Sequence, residues 1–166
     1  LKDEVALSKE KMKKINLKMI VRSVVDDFNN IYEAKRGIKI ILNDLNNQEE
    51  YIINGIENRI EQIIANLLDN SISFSEDNRK ILVEISKSEI ENVILRVVDE
   101  GKGFKEKNTK KIFDRFYSNR PDNFGEHSGL GLNIVKNLVD LHGATIYASN
   151  NITQKGANVE IVFPKL

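Results

Sequence analysis

The chain is 166 residues long, 40% hydrophobic and 30% charged, with 25 Lys and Arg side chains balancing 25 Asp and Glu. That composition suits one soluble globular domain with a short extension, and its zero net charge argues against nucleic acid as the main partner. The lack of cysteine excludes disulfides, thiol catalysis and thiolate zinc sites.

Leu1, Val5, Met12, Ile15 and Met19 fall at heptad-like spacings, with Ser8 in the gap. They predict the end of a coiled-coil-like dimerisation helix over residues 1–15. The same spacing would also suit a helix end packed on its own domain. Asn16 can cap a second helix with the apolar stripe Ile20, Val21, Val24, Val25, Phe28, Ile31 and Tyr32, and Gly37 can stop it. Strands are expected over 38–45 and 51–53, then a long helix over 56–73. Two further strands, 81–85 and 93–98, are joined by a polar turn. Periodicity fails over 100–128 apart from a helical patch at 110–116, which reads as a lid or binding loop. A helix over 130–141 ends at Gly143, and strands over 145–148 and 159–163 close the chain. Helices and strands interleave, yet 81–85 and 93–98 pair as neighbours. The expected fold class is therefore α+β: a two-layer sandwich, a mixed sheet with helices on one face.

No apolar run approaches the roughly 20 residues needed to cross a bilayer. No signal peptide is visible, and the chain opens on Leu1 rather than Met, so a longer protein with any membrane anchor upstream is expected.

Four patterns carry chemistry. On the helix over 56–73, Gln62, Asn66, Asn70 and Ser73 share a polar strip beside the apolar face of Ile60, Ile63, Ile64, Leu67 and Ile72. Asn66 and Asn70 sit about 40° apart, so their carboxamides can offer oxygens to a hard cation and nitrogens to phosphate. Alone, this is also what an ordinary helix surface looks like. Asp99-Glu100-Gly101-Lys102-Gly103-Phe104 leaves an apolar strand, where a carboxylate can accept from an exocyclic amine and glycines admit a flat ring. A plain turn would have the same composition. Ser128-Gly129-Leu130-Gly131-Leu132 opens a helix whose free N–H groups and positive dipole end suit an anion. It lacks the Lys-Ser/Thr of a P-loop and the preceding strand of a dinucleotide fingerprint, and could be a capped helix start. Finally, Lys111-Ile112-Phe113-Asp114-Arg115-Phe116-Tyr117 puts aromatics and a candidate phosphate clamp, Arg115, inside the irregular stretch.

Their order, closed by Lys155-Gly156-Ala157 before the last strand, resembles the nucleotide-binding domain shared by histidine kinases, gyrase-type ATPases, Hsp90 chaperones and MutL repair proteins, the GHKL or Bergerat fold. Within that superfamily the chain resembles a sensor histidine kinase, and its lid wording is similar to alphaproteobacterial envelope sensors. The N box matches residues 66–70, the G1 box 99–103, the F box 112–117 and the G2 box 129–132, and the resemblance covers 16–166. It implies ATP and Mg2+ as cofactors, with Asp99 on the adenine amine. Gly101, Gly103 and Phe104 would line the nucleotide, with Ser73 and Phe74 beside them. Asn66 and Asn70 would hold Mg2+ and phosphates, Arg115 the γ-phosphate, and Ser128, Gly129, Leu130, Gly131 and Leu132 the phosphate chain. Asn66 and Arg115 are the expected catalytic residues. Where gyrase-like ATPases carry a water-activating Glu, this chain has Asn66, which cannot act as a general base. Histidine rather than water is thus the expected acceptor.

Three positions depart from the family: Ser73 for a common Lys or Arg, Ser71 for Ala, and Ala157 for Thr. The histidines are His127 and His142, and neither has the phosphoacceptor context. His142, beside Gly143 at a helix end, is expected to favour the helix dipole. The resemblance therefore implies an autokinase domain incomplete without its acceptor, divided into a helical tail over 1–15 and a catalytic domain over 16–166. Implied partners are the protein's own dimerisation and phosphoacceptor hairpin, in a homodimer, and a response-regulator receiver domain. No nucleic acid and no direct membrane contact are expected, the domain being cytoplasmic in an inner-membrane-anchored protein. The competing readings are a non-catalytic nucleotide-binding module and an ATPase or serine kinase of the same superfamily.

Overall fold

The computed structural model describes residues 11–105, 109–114, 130–151 and 155–166. Its first element is β1 (Lys13–Asn16), followed by α1 (Leu17–Arg36). The Asn16 side chain begins that helix, its Oδ1 accepting from the N–H groups of Lys18 at 3.2 Å and Tyr51 at 3.0 Å. Gly37 ends it at φ +66, the left-handed conformation that costs glycine least. Leu17, Ile20, Val21, Val24 and Val25 form the buried stripe. Ile31, expected to continue it, is 54% exposed, whereas Phe28 and Tyr32 on either side pack against the core.

Strands β2 (Lys39–Asp44) and β3 (Ile52–Gly55) precede α2 (Glu57–Ser73); the hairpin β4 (Lys80–Lys87) and β5 (Val93–Asp99) follows. A 3-10 turn (Thr109–Phe113), α3 (Leu130–Leu141), β6 (Thr145–Asn150) and β7 (Ala157–Phe163) complete the fold. The main sheet runs β2-β4-β5-β7-β6, with β2 parallel to β4 and the other neighbours antiparallel. Alternation along its strands sends Ile81, Val83, Ile85, Val93, Leu95, Val97, Val159, Ile161 and Phe163 into the core. The core faces of α1, α2 and α3 join them there. On the opposite face Arg96 lies between Glu84 at 3.3 Å and Glu160 at 2.5 Å. This is the two-layer α+β sandwich, helices on one face.

The start of the chain differs from expectation. Lys13–Asn16 pairs antiparallel with β3, Lys13 opposite Gly55 and Asn16 opposite Ile52, so a helical seam does not run through Met12 and Ile15. Ile15 packs against the core, and Met19 is 66% exposed on α1. Residues 1–10 of the expected seam lie outside the described residues.

A partly buried polar cluster fastens α1 to β2. Lys18 Nζ donates to Asp44 Oδ2 and to the Gln48 carbonyl, both at 2.7 Å, and the Tyr51 hydroxyl donates to Asp44 Oδ1. Burial alone would raise the Asp44 carboxyl. The hydrogen bonds from Lys18 and Tyr51 outweigh it and hold the group at about 2. Burial, then the hydrogen bond to Asp44, pushes the Tyr51 phenol up to about 12.

Candidate nucleotide site

The end of β5 is where three stretches of chain meet. Asp99 follows the alternation of that strand inward and is 1% exposed. An acidic side chain so deep needs donors, and Asp99 Oδ1 accepts from Gly101 N–H at 2.9 Å and Ala157 N–H at 3.1 Å. The first bond closes the glycine turn; the second ties that turn to the start of β7. Gly156 lies against the Asp99 main chain at φ +141, and a Cβ there would overlap the Asp99 carbonyl oxygen. Asn151 Nδ2 donates to the same carbonyl at 3.4 Å. Gly103 takes φ +80, and Phe104 after it is buried at 5% exposure. The Asn150 carboxamide, at the end of β6, accepts from Phe104 N–H at 2.6 Å and donates to its carbonyl at 2.9 Å.

Helix α2 lies beside this corner, packed against both β5 and α3. Its apolar face is buried as expected, with Leu68 as a further member. Gln62, Asn66, Asn70 and Ser73 are partly exposed, so the polar strip borders the core. Ser73 Oγ donates back to the Asp69 carbonyl at 2.8 Å. Phe74 is the C-cap, its N–H donating to the Asn70 carbonyl at 3.2 Å. The helix end would leave carbonyls unpaired, and Arg36 supplies the donors: its guanidinium reaches the carbonyls of Ile72 at 2.7 Å and Ser75 at 2.6 Å, and Asp77 Oδ1 at 2.7 Å. A side chain from α1 therefore sets the part of α2 that carries Asn70.

At the other end of α2, His142 does comparable work. It is 7% exposed, its Nε2 accepting from Ile56 N–H at 3.1 Å while Nδ1 lies 2.7 Å from the Leu138 carbonyl. The imidazole thereby joins the start of α2 to the end of α3. The contact with the Leu138 carbonyl is the helix-end contact expected from its position, and the bond from Ile56 adds the bridge.

Helix α3 begins at Leu130. Gly131 is exposed, and a Cβ built on it would meet no heavy atom within 4 Å. Leu132 is buried in the same apolar cluster as Phe104, Leu67 and Ile72, which links the starts and ends of the three candidate segments. Asn133 Nδ2 donates to the Phe113 carbonyl at 3.1 Å, holding the 3-10 turn against α3. Arg115, Ser128 and Gly129 lie outside the described residues.

The structure thus gathers Asp99, Gly101, Gly103 and Phe104 into one hydrogen-bonded corner, with the strip of Asn66 and Asn70 and the start of α3 on adjoining helices. Sequence reasoning missed Asn150, Asn151 and Arg36. An Asn-Asn pair just beyond a strand was the available signal for the first two; nothing local distinguished Arg36 from a surface arginine.

A mixed sheet under one helical layer places an acidic strand end, an asparagine strip and the helix start at Gly131 on adjoining elements. Residues 55–166 match the family described as histidine kinase-, DNA gyrase B- and HSP90-like ATPase, and the chain belongs to that family. Its relatives put it with the histidine kinase ATPase domains of two-component sensors. It is 33% identical over 150 residues to the sensor protein ChvG of Rhizobium meliloti, covering 87% of this chain and 26% of that protein. To the sensor protein kinase PmrB of Pseudomonas aeruginosa it is 28% identical over 156 residues, covering 94% of this chain and 31% of the relative. The solved catalytic domain of the histidine kinase ThkA superposes with a TM-score of 0.80 at 26% identity, covering 93% of this chain and 96% of that one. The chain spans about a quarter to a third of these two sensor proteins. Among the described residues, no helix is long and apolar enough to cross a membrane.

Proposed function

We propose that this chain holds Mg·ATP between α2, the end of β5 and the start of α3, and donates the γ-phosphoryl to a histidine on a helical hairpin elsewhere in the protein. The observation that carries the reading is the buried Asp99 carboxylate, oriented by two backbone N–H groups at the end of a core strand. A carboxylate fixed in this way suits the exocyclic amine of adenine.

Asn66 and Asn70 hold magnesium and phosphate oxygens from the polar strip of α2. Carboxamide oxygens fit a hard cation that takes most of its ligands from phosphate and water. Among the described residues no group of three His, Cys, Asp or Glu side chains forms a metal cage, and a cation held through a triphosphate needs none. A magnesium ion held by Asn66 and Asn70 would supply charge neutralisation for the transferring phosphoryl group. Gly131, with Ser128, Gly129, Leu130 and Leu132, follows the phosphate chain, while Ser73, Phe74 and Phe104 border the nucleotide. Arg115 meets the γ-phosphate. Asn66 supplies no base for water, which reserves the phosphoryl group for an imidazole.

The catalytic domain takes in β1 (Lys13–Asn16), which pairs with β3, and the chain before it leads from the dimerisation hairpin. The partners are that hairpin, in a homodimer, and a receiver domain; the domain works on the cytoplasmic side of an inner-membrane sensor. Mixing the chain with labelled ATP, magnesium and its purified acceptor hairpin should yield acid-labile, base-stable phosphohistidine. Phosphate release without labelled hairpin would instead indicate an ATPase. One observation favours a second reading, a non-catalytic nucleotide-binding module: Ser73 stands at a position of common phosphate contact and turns its hydroxyl onto the helix backbone. Tight ADP binding with no phosphoryl transfer would support that module.

A further inference from the structure

We propose that Asn150 is a positioning residue for base recognition: its carboxamide fixes the turn after β5 through the Phe104 backbone, and so sets how selectively the domain holds adenine. The inference rests on the assignment of Asp99 to the adenine amine.

The turn over 99–104 is held at both ends, with Lys80 N–H donating to Glu100 Oε1 at 2.8 Å between them. At its start, Asp99 Oδ1 takes the N–H groups of Gly101 and Ala157. At its end, Asn150 accepts from Phe104 N–H at 2.6 Å and donates to Phe104 C=O at 2.9 Å. Between them Gly103 adopts φ +80, where a Cβ would press on Asn150 Oδ1. The carboxamide behaves as one more peptide group in a ladder, carrying β6 across the end of β7 to the chain leaving β5. Asp in its place would keep the acceptor but turn a carboxylate toward the Phe104 carbonyl. Gln would add a methylene and a rotor. With the Phe104 end released, the glycine turn regains freedom, and the angle at which the Asp99 side chain and the adjoining backbone meet a base is no longer unique.

The same two-bond clip occurs a second time, far from the site. Asn29 on α1 accepts from Ile40 N–H at 2.8 Å and donates to Ile40 C=O at 2.9 Å, finishing the outer edge of β2. The chain therefore contains its own control: identical chemistry, one copy beside the base-reading turn and one copy remote from it.

The test uses the 166-residue chain, with ADP and GDP affinities by titration calorimetry and urea midpoints by circular dichroism. Asn150→Ala should weaken ADP binding about tenfold, from loss of the two hydrogen bonds, and bring ADP and GDP affinities about three- to tenfold closer together. Asn29→Ala should lower the urea midpoint comparably and leave both affinities within about twofold. Asn150→Asp, which retains one bond, should fall between Asn150→Ala and the native chain, and decides the matter if the alanine variant does not fold. Native selectivity in the folded Asn150 variants, or an equal change in Asn29→Ala, overturns the proposal. Asp99→Asn separates this failure from a wrong site: if it weakens ADP while Asn150 does not, only the positioning role is lost. If Asp99→Asn leaves ADP binding intact, the adenine assignment falls and the proposal with it.

Discussion

Replacing Asp99 with Asn keeps the size and shape of the side chain and changes what one of its terminal atoms can do. Oδ1 accepts two backbone N–H groups, at 2.9 and 3.1 Å, and the amide must turn its oxygen to that side because two donors face it. Weakening two charge-assisted bonds to neutral ones costs about 1–2 kcal/mol of stability, a tolerable fraction of a domain's total of about 5–15 kcal/mol. The other terminal atom becomes an NH2, which cannot accept from the exocyclic amine. Losing a hydrogen bond to a charged acceptor is worth about 1.5–3 kcal/mol, or roughly a 10- to 150-fold loss of ADP affinity. Asp99→Ala behaves differently: at 1% exposure it strips the acceptor from two buried N–H groups, costing about 2–6 kcal/mol and threatening the fold itself. Calorimetric titration with ADP, paired with urea denaturation of both variants, separates the two effects. A folded Asp99→Asn protein that binds ADP within about twofold of the native chain would refute the adenine assignment.

Gly156→Ala should lower stability by at least about 2 kcal/mol and reduce ADP binding together, because φ +141 disfavours a side chain and the added Cβ strikes the Asp99 carbonyl; urea midpoints and calorimetry read both. His142→Leu should cost about 1–3 kcal/mol by leaving Ile56 N–H buried without its acceptor, seen as a lower urea midpoint at unchanged slope. Asp44, held at about 2 against an ordinary 3.8, contributes stability that is full above pH 3.8 and lost as pH falls toward 2; Asp44→Asn should flatten that part of a melting-temperature profile. Tyr51, pushed up to about 12 from 10.0, contributes stability that is full below pH 10.0 and lost as pH rises toward 12, a loss that Tyr51→Phe should remove.

Elements whose signal is periodic were readable from the chain alone. Ile60, Ile63, Ile64, Leu67 and Ile72 repeat at helical spacing, and all are buried on α2. The β4 and β5 hairpin follows from two apolar runs and the polar turn between them. What failed depended on distant partners. Met12 and Ile15 fit a heptad, but β1 forms because β3 offers its edge, and a four-residue strand leaves little local trace. Ile31 continues the α1 stripe in sequence, yet it is exposed while its neighbour Tyr32 packs against the core. The site shows the same division. Asp99 and its glycines announced themselves as a strand end and a turn, whereas Asn150 and Arg36 act through main-chain groups of other segments. Such bonds carry no composition bias that a single sequence can reveal.

The described part of the site divides into two mechanical regimes. The base-reading corner is fixed by bonds among three strand ends: Asp99 to Gly101 and Ala157, Asn150 to Phe104, and Asn151 N–H to the Gly156 carbonyl at 2.9 Å. These strands are adjacent in the sheet, so the corner cannot shift without breaking ladder pairs. The asparagine strip instead rides on α2, whose ends are fastened by single side chains, His142 at the start and Arg36 at the finish. On the proposed assignment, adenine meets a surface fixed by strand-end hydrogen bonds, and the phosphate groups meet side chains carried on helices. For a domain that must present one end of its nucleotide to a separate protein element, this division is mechanically favourable. Changes at the strand ends should therefore appear in nucleotide affinity and base selectivity, and changes at Asn66 or Asn70 in the rate of phosphoryl transfer.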